Sequence, residues 1–517
     1  MAISSLEKEF VKLVDVNSPI IYIQDWDFWR IDKMIADAIS QATAFEWNPS
    51  EGCIDFRTKV KKGADGIMPL YDFLKEFYDT TTPAKPKFLI LKDVHNLLDD
   101  DSILSLLHLM AQRRYYDTLF NTTVVIIDNI INIPSQIIKY VSILEVEFPD
   151  DDEIDELINE HARVNGYSEL NEKDRIALKP TLKGLSMFDI DRLLDYVMSS
   201  NGDISAEDKE MLLKQKKNMV RKAGLLELVD TAERIDDIGG LENLKEYLKK
   251  KEKVFKNWGA AQNRGVEAPK GVFILGLPGC GKSLCAKAAA TLFEAPLLKL
   301  DMGSMMGKYV GESESNLREA IKIAEAAAPC VLWLDEIEKA FAGVNGDGGG
   351  EVITRMFGYF LSWMQDKQSL VYVVATANRI EGLPTELLRK GRFDELFFVN
   401  LPNLNEIKEI FKIHLNKGGR KNCDKDFEID KLNDSFYRKF EGCNGADIES
   451  IIKEAIENAF IENKKLSQEG IERVKNNTKS IKESFGNKLK DMEDKAKEYN
   501  FRAASHQIPI NSKNNQK

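Results

Sequence analysis

The sequence predicts an α/β fold with a parallel sheet, because three apolar runs each lead into a polar motif. Residues 272–275 precede a glycine-rich loop at 276–283. Residues 331–334 precede two acids, and residues 371–377 precede Asn378. Apolar runs of this length suit parallel strands that are covered on both faces. Because open α/β sheets bind ligands at the carboxyl ends of their strands, the three motifs are expected to meet at one site.

Size and composition exclude several classes of protein. The 517 residues allow roughly two to four domains, and the 43% hydrophobic content is normal for a globular protein. The net charge of −12 disfavours a general nucleic-acid binder, so no nucleic acid is expected as a partner. No apolar run is long enough to cross a bilayer, and the N-terminus lacks the regions of a secretory signal. The six cysteines contain no Cys-x-x-Cys pair, which favours reduced thiols in a cytosol-like compartment.

Residues 276–283 read Gly-Leu-Pro-Gly-Cys-Gly-Lys-Ser, a complete phosphate-binding loop that is followed by a helical pattern. Its glycines allow backbone N–H groups to face an anion, and the helix that begins at Lys282 adds a positive end. Lys282 is predicted to reach the β- and γ-phosphates, and Ser283 to bind Mg²⁺. A turn with chance glycines is the alternative. The predicted nucleotide contacts are Gly276, Leu277, Pro278, Gly279, Cys280, Gly281, Lys282, Ser283 and Leu284.

The acids after the second apolar run are predicted to serve catalysis. Asp335 is expected to bind Mg²⁺ directly or through water, and Glu336 to polarise the attacking water as general base. The alternative for both acids is a strand end that meets solvent. Asn378 is expected to orient that water or to contact the γ-phosphate, although an asparagine at a strand end is usually a turn residue.

The segment at residues 387–394, Leu-Leu-Arg-Lys-Gly-Arg-Phe-Asp, completes an order of motifs that resembles the AAA family of the AAA+ superfamily. The resemblance spans about residues 235–465. It implies a P-loop AAA+ parallel sheet with a helical lid, ATP and Mg²⁺ as cofactors, and a homo-oligomer whose usual form is a hexameric ring. It also implies that Arg389 and Arg392 are arginine fingers, which act on the ATP of the neighbouring subunit. A guanidinium offered in this way stabilises charge on the transferred phosphoryl group.

Two further segments resemble parts of the family's adenine site. Asp237 and Gly239 belong to an Asp-Ile-Gly-Gly segment, which the resemblance places beside the adenine. The later segment Gly-Cys-Asn-Gly-Ala-Asp resembles the start of a lid helix, and its Gly445 and Ala446 are implied to lie near the adenine and ribose. Asp447 is a suitable N-cap for the helix that follows.

Residues 305–314 resemble the family's pore loop, with Tyr309 in the aromatic–hydrophobic–glycine triplet that grips polypeptide. The resemblance implies a protein substrate that contacts Tyr309, since an exposed aromatic side chain packs on any extended chain. The alternative is that Tyr309 packs against its own domain. Residues 343–350 are rich in glycine and fall where the family has a second pore loop.

The first 200 residues lack a phosphate loop but repeat the order of segments in the second half, which indicates internal duplication. Lys92 stands in place of Asp335, two acids follow the first strand in place of the glycines, and residues 138–141 replace the fingers. We predict a degenerate AAA-like α/β domain that does not hydrolyse ATP; the alternative is an unrelated α/β domain. The matching segments are 88–93 with 331–336, 124–129 with 373–378, 133–137 with 383–387, 148–149 with 401–402, and 184–190 with 442–448.

The domain limits follow from these motifs and from shifts in composition. The predicted domains are the degenerate domain at 1–200, a helical linker at 201–236, the AAA+ nucleotide-binding domain at 237–402, the helical lid at 403–465 and a charged, partly disordered helical tail at 466–517. We interpret the tail as a solvated or partner-facing helix rather than a core element. The whole layout also resembles a narrower group, the poorly characterised AAA ATPase encoded in algal plastid genomes and in cyanobacteria. Residues 221–227, 236–245, 328–341 and 389–398 carry this resemblance.

The leading hypothesis is an ATPase that assembles as a ring and remodels a protein substrate. The expected compartment is the cytoplasm, or the plastid stroma if the gene is plastid-encoded. The alternative is a regulatory or scaffold protein that uses ATP binding as a conformational switch without threading. A DNA-acting machine is a third hypothesis, which the acidic charge disfavours.

Overall fold

The computed structural model describes residues 5–25, 27–39, 42–62, 66–79, 86–117, 119–129, 131–146, 148–164, 170, 172–201, 205–222, 225–300, 312–341, 349–381, 383–389, 391–416 and 432–506. Its contacts divide the chain into two compact units. The first unit comprises Met1–Pro149 and Ser186–Arg192, and the second comprises Asp150–Leu185 and Leu193–Lys517. Each unit contains one sheet.

The first unit is built on a six-stranded sheet. Its strands are β1 (Ile20–Gln24), β2 (Thr43–Asn48), β3 (Gly52–Asp55), β4 (Lys87–Lys92), β5 (Thr122–Asp128) and β6 (Val141–Glu145). The helices before β6 are α1 (Ser5–Asp15), α2 (Phe28–Ala38), α3 (Leu70–Asp79) and α4 (Asp101–Tyr116). The strand order is β3-β2-β4-β5-β1-β6, in which β3 is antiparallel to β2 and the other pairs are parallel.

Alternate residues of these strands enter two separate cores. Ile20 and Tyr22 belong to a core that includes residues of α3 and α4, while Ile21 and Ile23 belong to a core that includes residues of α1 and α2. Successive side chains of a strand point to opposite faces, so a strand covered on both faces is apolar throughout. This arrangement explains the continuous apolar runs in the sequence.

The second unit is built on a seven-stranded sheet and many helices. The later helices of the chain are α5 (Asp151–Val164), α6 (Glu172–Leu182), α7 (Met187–Asn201), α8 (Lys209–Lys222), α9 (Glu242–Lys256), α10 (Trp258–Gln262), α11 (Lys282–Phe293), α12 (Glu312–Ala326), α13 (Gly349–Asp366), α14 (Leu404–Asn416), α15 (Asp434–Arg438), α16 (Gly445–Ile461), α17 (Gln468–Asn477) and α18 (Ile481–Glu498). No helix in the described ranges combines the length and the hydropathy that a membrane span requires.

The seven strands of the second unit form one sheet with a parallel centre. They are β7 (Leu226–Val229), β8 (Gly271–Gly276), β9 (Leu297–Leu300), β10 (Cys330–Leu334), β11 (Val371–Ala377), β12 (Glu395–Val399) and β13 (Arg502–Ala503). The strand order is β13-β12-β8-β11-β10-β9-β7, in which β7 is antiparallel to β9 and the other pairs are parallel. Strand β7 lies inside the segment that we predicted as a helical linker. The sequence did not indicate this strand, because four residues are too few to show an alternating pattern.

The two sheets have the same topology in their parallel parts. Numbered along the chain, the five parallel strands of the first sheet lie side by side as second, third, fourth, first and fifth. The first five parallel strands of the second sheet have the same order, and β13 adds a sixth at the edge. Asp93 and Glu336, which follow the third strand in each sheet, have positive φ angles of +53° and +50°. The shared strand order and the shared backbone conformation confirm that the first half contains an α/β domain like that of the second half.

A helical lid follows the second parallel sheet and has a core of its own. Phe411, Phe436 and Phe440 pack at its centre, with ring centroids 4.7 to 5.6 Å apart. Our assignment of Asp447 as the N-cap of the lid helix was wrong, because α16 begins earlier and Asn444 is its N-cap. In this capping box the side chain of each residue accepts the backbone N–H of the other, at 2.7 and 3.1 Å, which satisfies two helix donors.

The C-terminal segment returns to the second sheet. Helix α18 buries Leu489, Met492 and Ala496, and β13 then pairs with β12 at the sheet edge. Ala504 donates its backbone N–H to the carbonyl of Phe398 at 2.9 Å. These contacts contradict our interpretation of the tail as a solvated or partner-facing helix, because most of its sparse apolar residues are buried within its own chain, although Phe485 is exposed.

Candidate functional site

The loop between β8 and α11 has the backbone that its glycines predict. Gly279 and Gly281 have φ angles of +76° and +87°, in a region that residues with a Cβ rarely adopt. A Cβ on Gly279 would lie 2.5 Å from Nδ2 of Asn444, whereas a Cβ on Gly281 would meet nothing within 4 Å. The backbone conformation therefore favours both glycines, and the close approach of the lid adds a second reason for Gly279.

Lys282 is buried at the first turn of α11. Its Nζ donates to the carbonyls of Gly276 and Leu277 at 2.9 and 2.8 Å, and to Oδ1 of Asn378 at 2.7 Å. All three acceptors are neutral, and burial lowers the pKa of Lys282. A buried ammonium with neutral acceptors, at the positive end of a helix, is suited to bind the charged oxygens of a phosphate.

Side chains from the end of β11 hold the two acids that follow β10. Thr376 donates its hydroxyl to Oδ1 of Asp335 at 2.8 Å and accepts the backbone N–H of Glu336 at 3.2 Å. Asn378 donates Nδ2 to Oε1 of Glu336 at 2.7 Å. Lys339 pairs with the other oxygen of Glu336, and this hydrogen bond lowers the pKa of the Glu336 carboxyl. The Glu336 carboxylate is therefore ionised and fixed on both oxygens.

The oxygen donors at this edge fit a magnesium ion. The carboxylate of Asp335 and the hydroxyl of Ser283, in the first turn of α11, are ligands of the kind that Mg²⁺ prefers. Oδ2 of Asp335 lies 3.5 Å from Nζ of Lys299, so this oxygen already faces a positive charge. The donor chemistry therefore agrees with the two metal ligands that the sequence predicts.

The start of α16 contacts the phosphate loop directly. Asn444 donates Nδ2 to the carbonyl of Pro278 at 2.8 Å. The backbone N–H of Ala446 donates to the carbonyl of Gly279 at 3.2 Å. The structure thus brings Ala446 and its neighbour Gly445 to the phosphate loop, and the lid helix and the loop fix each other's position.

The Asp-Ile-Gly-Gly segment is held by the first lid helix, α14. Gly239 packs so closely on Ile410 that a Cβ would lie 2.6 Å from Cγ1 of that side chain. Gly240 donates its backbone N–H to Glu409 at 2.8 Å. The carboxylate of Asp237 accepts the backbone N–H of its own turn, from residue 234, at 2.7 Å. The lid therefore positions this segment as well as the phosphate loop.

The two predicted fingers lie at the other end of the sheet. Arg389 is exposed, and Arg392 donates Nη1 to the carbonyl of Leu361 in α13. Both arginines precede β12, which runs parallel to β8, whereas the phosphate loop follows β8. A six-residue strand places roughly 15–20 Å between them and the loop. The structure therefore does not bring either arginine to the phosphate loop of its own chain.

The predicted pore loop lies largely outside the described residues. Tyr309 falls within residues 301–311, and residues 343–348 of the glycine-rich segment are also outside them. The helices that follow these segments are described, with α12 beginning at Glu312 and α13 at Gly349. The position and role of Tyr309 therefore stay a prediction.

Three residues of the site were missed in the sequence: Thr376, Glu338 and Asn444. Glu338 is only 4% exposed and accepts the backbone N–H of Asn378 at 3.1 Å, while burial raises the pKa of its carboxyl. A third acid after an acidic pair is a weak signal, since acids at strand ends are common turn residues. A threonine in an apolar strand is equally weak, because threonine is an ordinary strand residue.

The equivalent edge of the first sheet is filled by the protein's own charges. Lys92, at the position of the predicted metal-binding acid, is buried and pairs with Asp32 at 2.7 Å and with Glu46 at 3.0 Å. At the start of α2, the carboxylate of Asp27 accepts a backbone N–H of the first turn at 3.2 Å. A helix start that is capped by its own carboxylate repels a phosphate. These contacts support the prediction that the first domain does not hydrolyse ATP.

Comparisons with known proteins establish the family. Residues 272–401 match the "ATPase family associated with various cellular activities (AAA)", and residues 6–146 and 152–223 match the N-terminal and second domains of SpoVK-like AAA ATPases. The chain is 36% identical over 471 residues to an AAA domain-containing protein ycf46 of Guillardia theta, and the match covers 90% of both chains. The chain belongs to the AAA family of ATPases. Both family resemblances in the sequence are thereby confirmed.

Further AAA relatives match this AAA protein over different lengths. A ycf46 protein of Pyropia yezoensis is 37% identical over 461 residues, which are 88% of this chain and 90% of the relative. A proteasome-activating nucleotidase of Methanopyrus kandleri is 36% identical over 225 residues, which are 43% of this chain and 50% of the relative. The AAA protein therefore shares most of its length with the ycf46 proteins and less than half with the nucleotidase.

Proposed function

We propose that this AAA protein hydrolyses ATP with Mg²⁺ at the edge formed by β8, β10 and β11. The observation that carries this proposal is the side chain of Asn378, which accepts from Lys282 and donates to Glu336 at 2.7 Å each. A phosphate bound by Lys282 and a water bound by Glu336 would lie on either side of this amide. In-line attack requires the water to be held close to the phosphoryl group and in line with the leaving oxygen, and an amide in contact with both Lys282 and Glu336 is placed to orient that water.

Each residue has a defined role in this proposal. The loop N–H groups and Lys282 bind the β- and γ-phosphates, and Asn378 orients the attacking water. Glu336 accepts the proton of that water, for which its ionised carboxylate is suited. Ser283 and Asp335 hold Mg²⁺, which when bound neutralises charge on the phosphates. The adenine and ribose are assigned to the region between the Asp-Ile-Gly-Gly segment and the start of α16, since the lid positions both.

The proposal includes a homo-oligomeric ring, with a hexamer as the expected size. Arg389 and Arg392 lie at the end of the sheet that is remote from the phosphate loop, so they are available to a neighbouring subunit. A guanidinium supplied by the neighbour would stabilise the charge that develops during transfer. Arg392 would exchange its bond to the Leu361 carbonyl for this contact, whereas Arg389 is exposed.

A protein is the proposed substrate of the ring, contacted through Tyr309. The proteasome-activating nucleotidase supports this assignment, because its name connects it with the proteasome. The net charge of −12 keeps nucleic acid disfavoured. The described cysteines are free, which supports a reducing compartment, the cytoplasm or a plastid stroma.

The test of the ATPase proposal is Glu336→Gln. We expect this variant to bind ATP with wild-type affinity and to turn it over at least about a hundredfold more slowly, because the amide cannot accept the proton of the water. Steady-state phosphate release and titration with a fluorescent ATP analogue measure the two quantities. Glu386→Gln, which makes the same substitution at an exposed carboxylate, is the matched control and should retain full activity. Normal turnover by Glu336→Gln would remove Glu336 from its role.

A further inference from the structure

Thr376 contacts both members of the acidic pair from inside the sheet. It lies in β11 and is 0% exposed. Its hydroxyl donates to Oδ1 of Asp335 at 2.8 Å and accepts the backbone N–H of Glu336 at 3.2 Å. One buried oxygen therefore sets the rotation of the Asp335 carboxylate and bonds the backbone of Glu336, whose left-handed φ of +50° also occurs at Asp93 of the first sheet.

The first sheet shows the same position without a hydroxyl. Ile127 pairs with Lys92 in the register of β4 and β5, and these two residues occupy the places of Thr376 and Asp335. The next residue, Asp93, donates its N–H to the backbone carbonyl of Ile127 at 3.3 Å. Within this one chain, the hydroxyl is present where the predicted metal-binding acid is present, and an apolar side chain replaces it where that acid is lost.

Packing alone does not explain a threonine at this position. A strand that is buried on both faces favours valine or isoleucine, and a buried hydroxyl is stable only when it is hydrogen-bonded. The acceptor of Thr376 is a carboxylate, which forms stronger hydrogen bonds than a neutral group. With Oδ1 of Asp335 bound to the hydroxyl, Oδ2 is the oxygen left for a metal ion, and it pairs with Nζ of Lys299 at 3.5 Å.

We propose that Thr376 is a positioning residue for magnesium-dependent hydrolysis. Its hydroxyl turns Asp335 so that one carboxylate oxygen is presented to the metal, and it accepts the backbone N–H of the adjacent Glu336. The inference rests on the proposed ATPase function and adds a residue that touches neither nucleotide nor metal. Loss of the hydroxyl should therefore impair metal use and turnover while leaving metal-free nucleotide binding intact.

The test separates the hydroxyl from the size of the side chain with three variants. Thr376→Ser keeps the hydroxyl and loses a methyl group, Thr376→Val keeps the volume and loses the hydroxyl, and Thr376→Ala loses both. We would measure kcat as a function of Mg²⁺ concentration, and the affinity for a fluorescent ATP analogue in EDTA. Thr376→Val and Thr376→Ala should lower kcat about ten- to a hundredfold and raise the half-saturating Mg²⁺ concentration about tenfold. Thr376→Ser should stay within about threefold of the wild type.

Each other outcome overturns a defined part of the argument. If activity follows volume, so that Thr376→Val resembles the wild type and Thr376→Ser is impaired, Thr376 acts by packing and the inference fails. It also fails if Thr376→Val loses nucleotide affinity in EDTA to the same degree as turnover. If Thr376→Val does not fold, the comparison of Thr376→Ser with Thr376→Ala decides the question, because these two variants differ by the hydroxyl. A wild-type protein without magnesium-dependent turnover would overturn the proposed function itself, which is a distinguishable result.

Discussion

Asn444 shows how one side chain can serve both local structure and the site. Its Oδ1 accepts the backbone N–H of Asp447 at 2.7 Å and caps α16. Its Nδ2 donates to the carbonyl of Pro278 at 2.8 Å and holds the phosphate loop. The two ends of one amide therefore join the lid helix to the loop, and substitutions can separate the two roles.

Asn444→Ser is expected to keep the helix cap and to break the contact with the loop. Serine caps helices about as well as asparagine, so the free energy of unfolding should fall only by about 1 kcal/mol, which is the contribution of the lost hydrogen bond. The affinity for ATP should fall about three- to tenfold, because the hydrogen bond to Pro278 is lost. Chemical denaturation and titration with a fluorescent ATP analogue measure the two effects.

Asn444→Ala provides the comparison for this experiment. It loses the cap as well as the loop contact, so its unfolding free energy should fall by about 1 kcal/mol relative to Asn444→Ser. Its ATP affinity should match that of the serine variant. Wild-type ATP affinity in Asn444→Ser would show that the contact with Pro278 does not support nucleotide binding.

At the scale of secondary-structure elements, helix α8 carries a buried lysine that should make stability depend on pH. Lys216 is 3% exposed and donates Nζ to the carbonyl of Lys183, just after α6. Burial lowers the pKa of Lys216 to about 8. An exposed lysine in the unfolded chain has a pKa of about 10.4, so the unfolded state binds more protons between these values. The stability of the second unit should therefore rise as the pH rises from about 8 to about 10.5.

Lys216→Met tests this dependence. At pH 7 the variant should be more stable by about 2 kcal/mol, since it removes a burial penalty of about 3 kcal/mol and leaves the Lys183 carbonyl without its donor at a cost of about 1 kcal/mol. At pH 10.5 the gain should disappear, because the wild-type amine is then neutral in the folded state and about half neutral in the unfolded state, so little burial penalty remains. Urea unfolding of both proteins at the two pH values is the measurement. A constant difference between them would contradict the depressed pKa.

The long elements were predictable from the sequence, and the short ones were not. The apolar runs in β4, β5, β8, β10 and β11 identified strands, because central parallel strands are apolar on both faces. β7 and β13 have four and two residues, and their place in the sheet depends on pairing with β9 and β12. The apolar residues of α18 were visible as a helical pattern, but their burial depends on contacts with distant parts of the chain.

At the scale of the whole molecule, the chain contains two α/β domains of one topology with different chemistry at the corresponding edges. The second domain has the phosphate loop, the acidic pair and Asn378. The first domain has the ion pairs of Lys92 in place of the predicted metal-binding acid. Arg389 lies at the opposite end of the sheet from the phosphate loop of its own chain. We therefore expect Arg389 of one subunit to complete the ATP site of the neighbouring subunit.

Mixing two inactive variants tests the shared site. Lys282→Ala lacks the phosphate-binding lysine, and Arg389→Ala lacks the exposed arginine, so each protein alone should show less than about a tenth of wild-type turnover. In a mixed oligomer, an intact Lys282 of one subunit meets an intact Arg389 of the next, and activity should partly recover. Phosphate release from mixtures at several ratios measures this recovery. If the variants co-assemble and activity stays at the level of the separate proteins, Arg389 does not act between subunits.

The sequence by itself determined the family, the phosphate loop, the acidic pair and the degenerate first domain, because each depends on residues that are close together in the chain. Only the tertiary structure decided which side chains hold these motifs. Thr376 and Asp335 are 41 residues apart, Asn378 and Glu338 are 40 apart, and Asn444 and Pro278 are 166 apart. A single buried hydrogen bond between distant residues leaves no period or spacing in the sequence, and it becomes visible only when the sheet and the lid bring its two ends together.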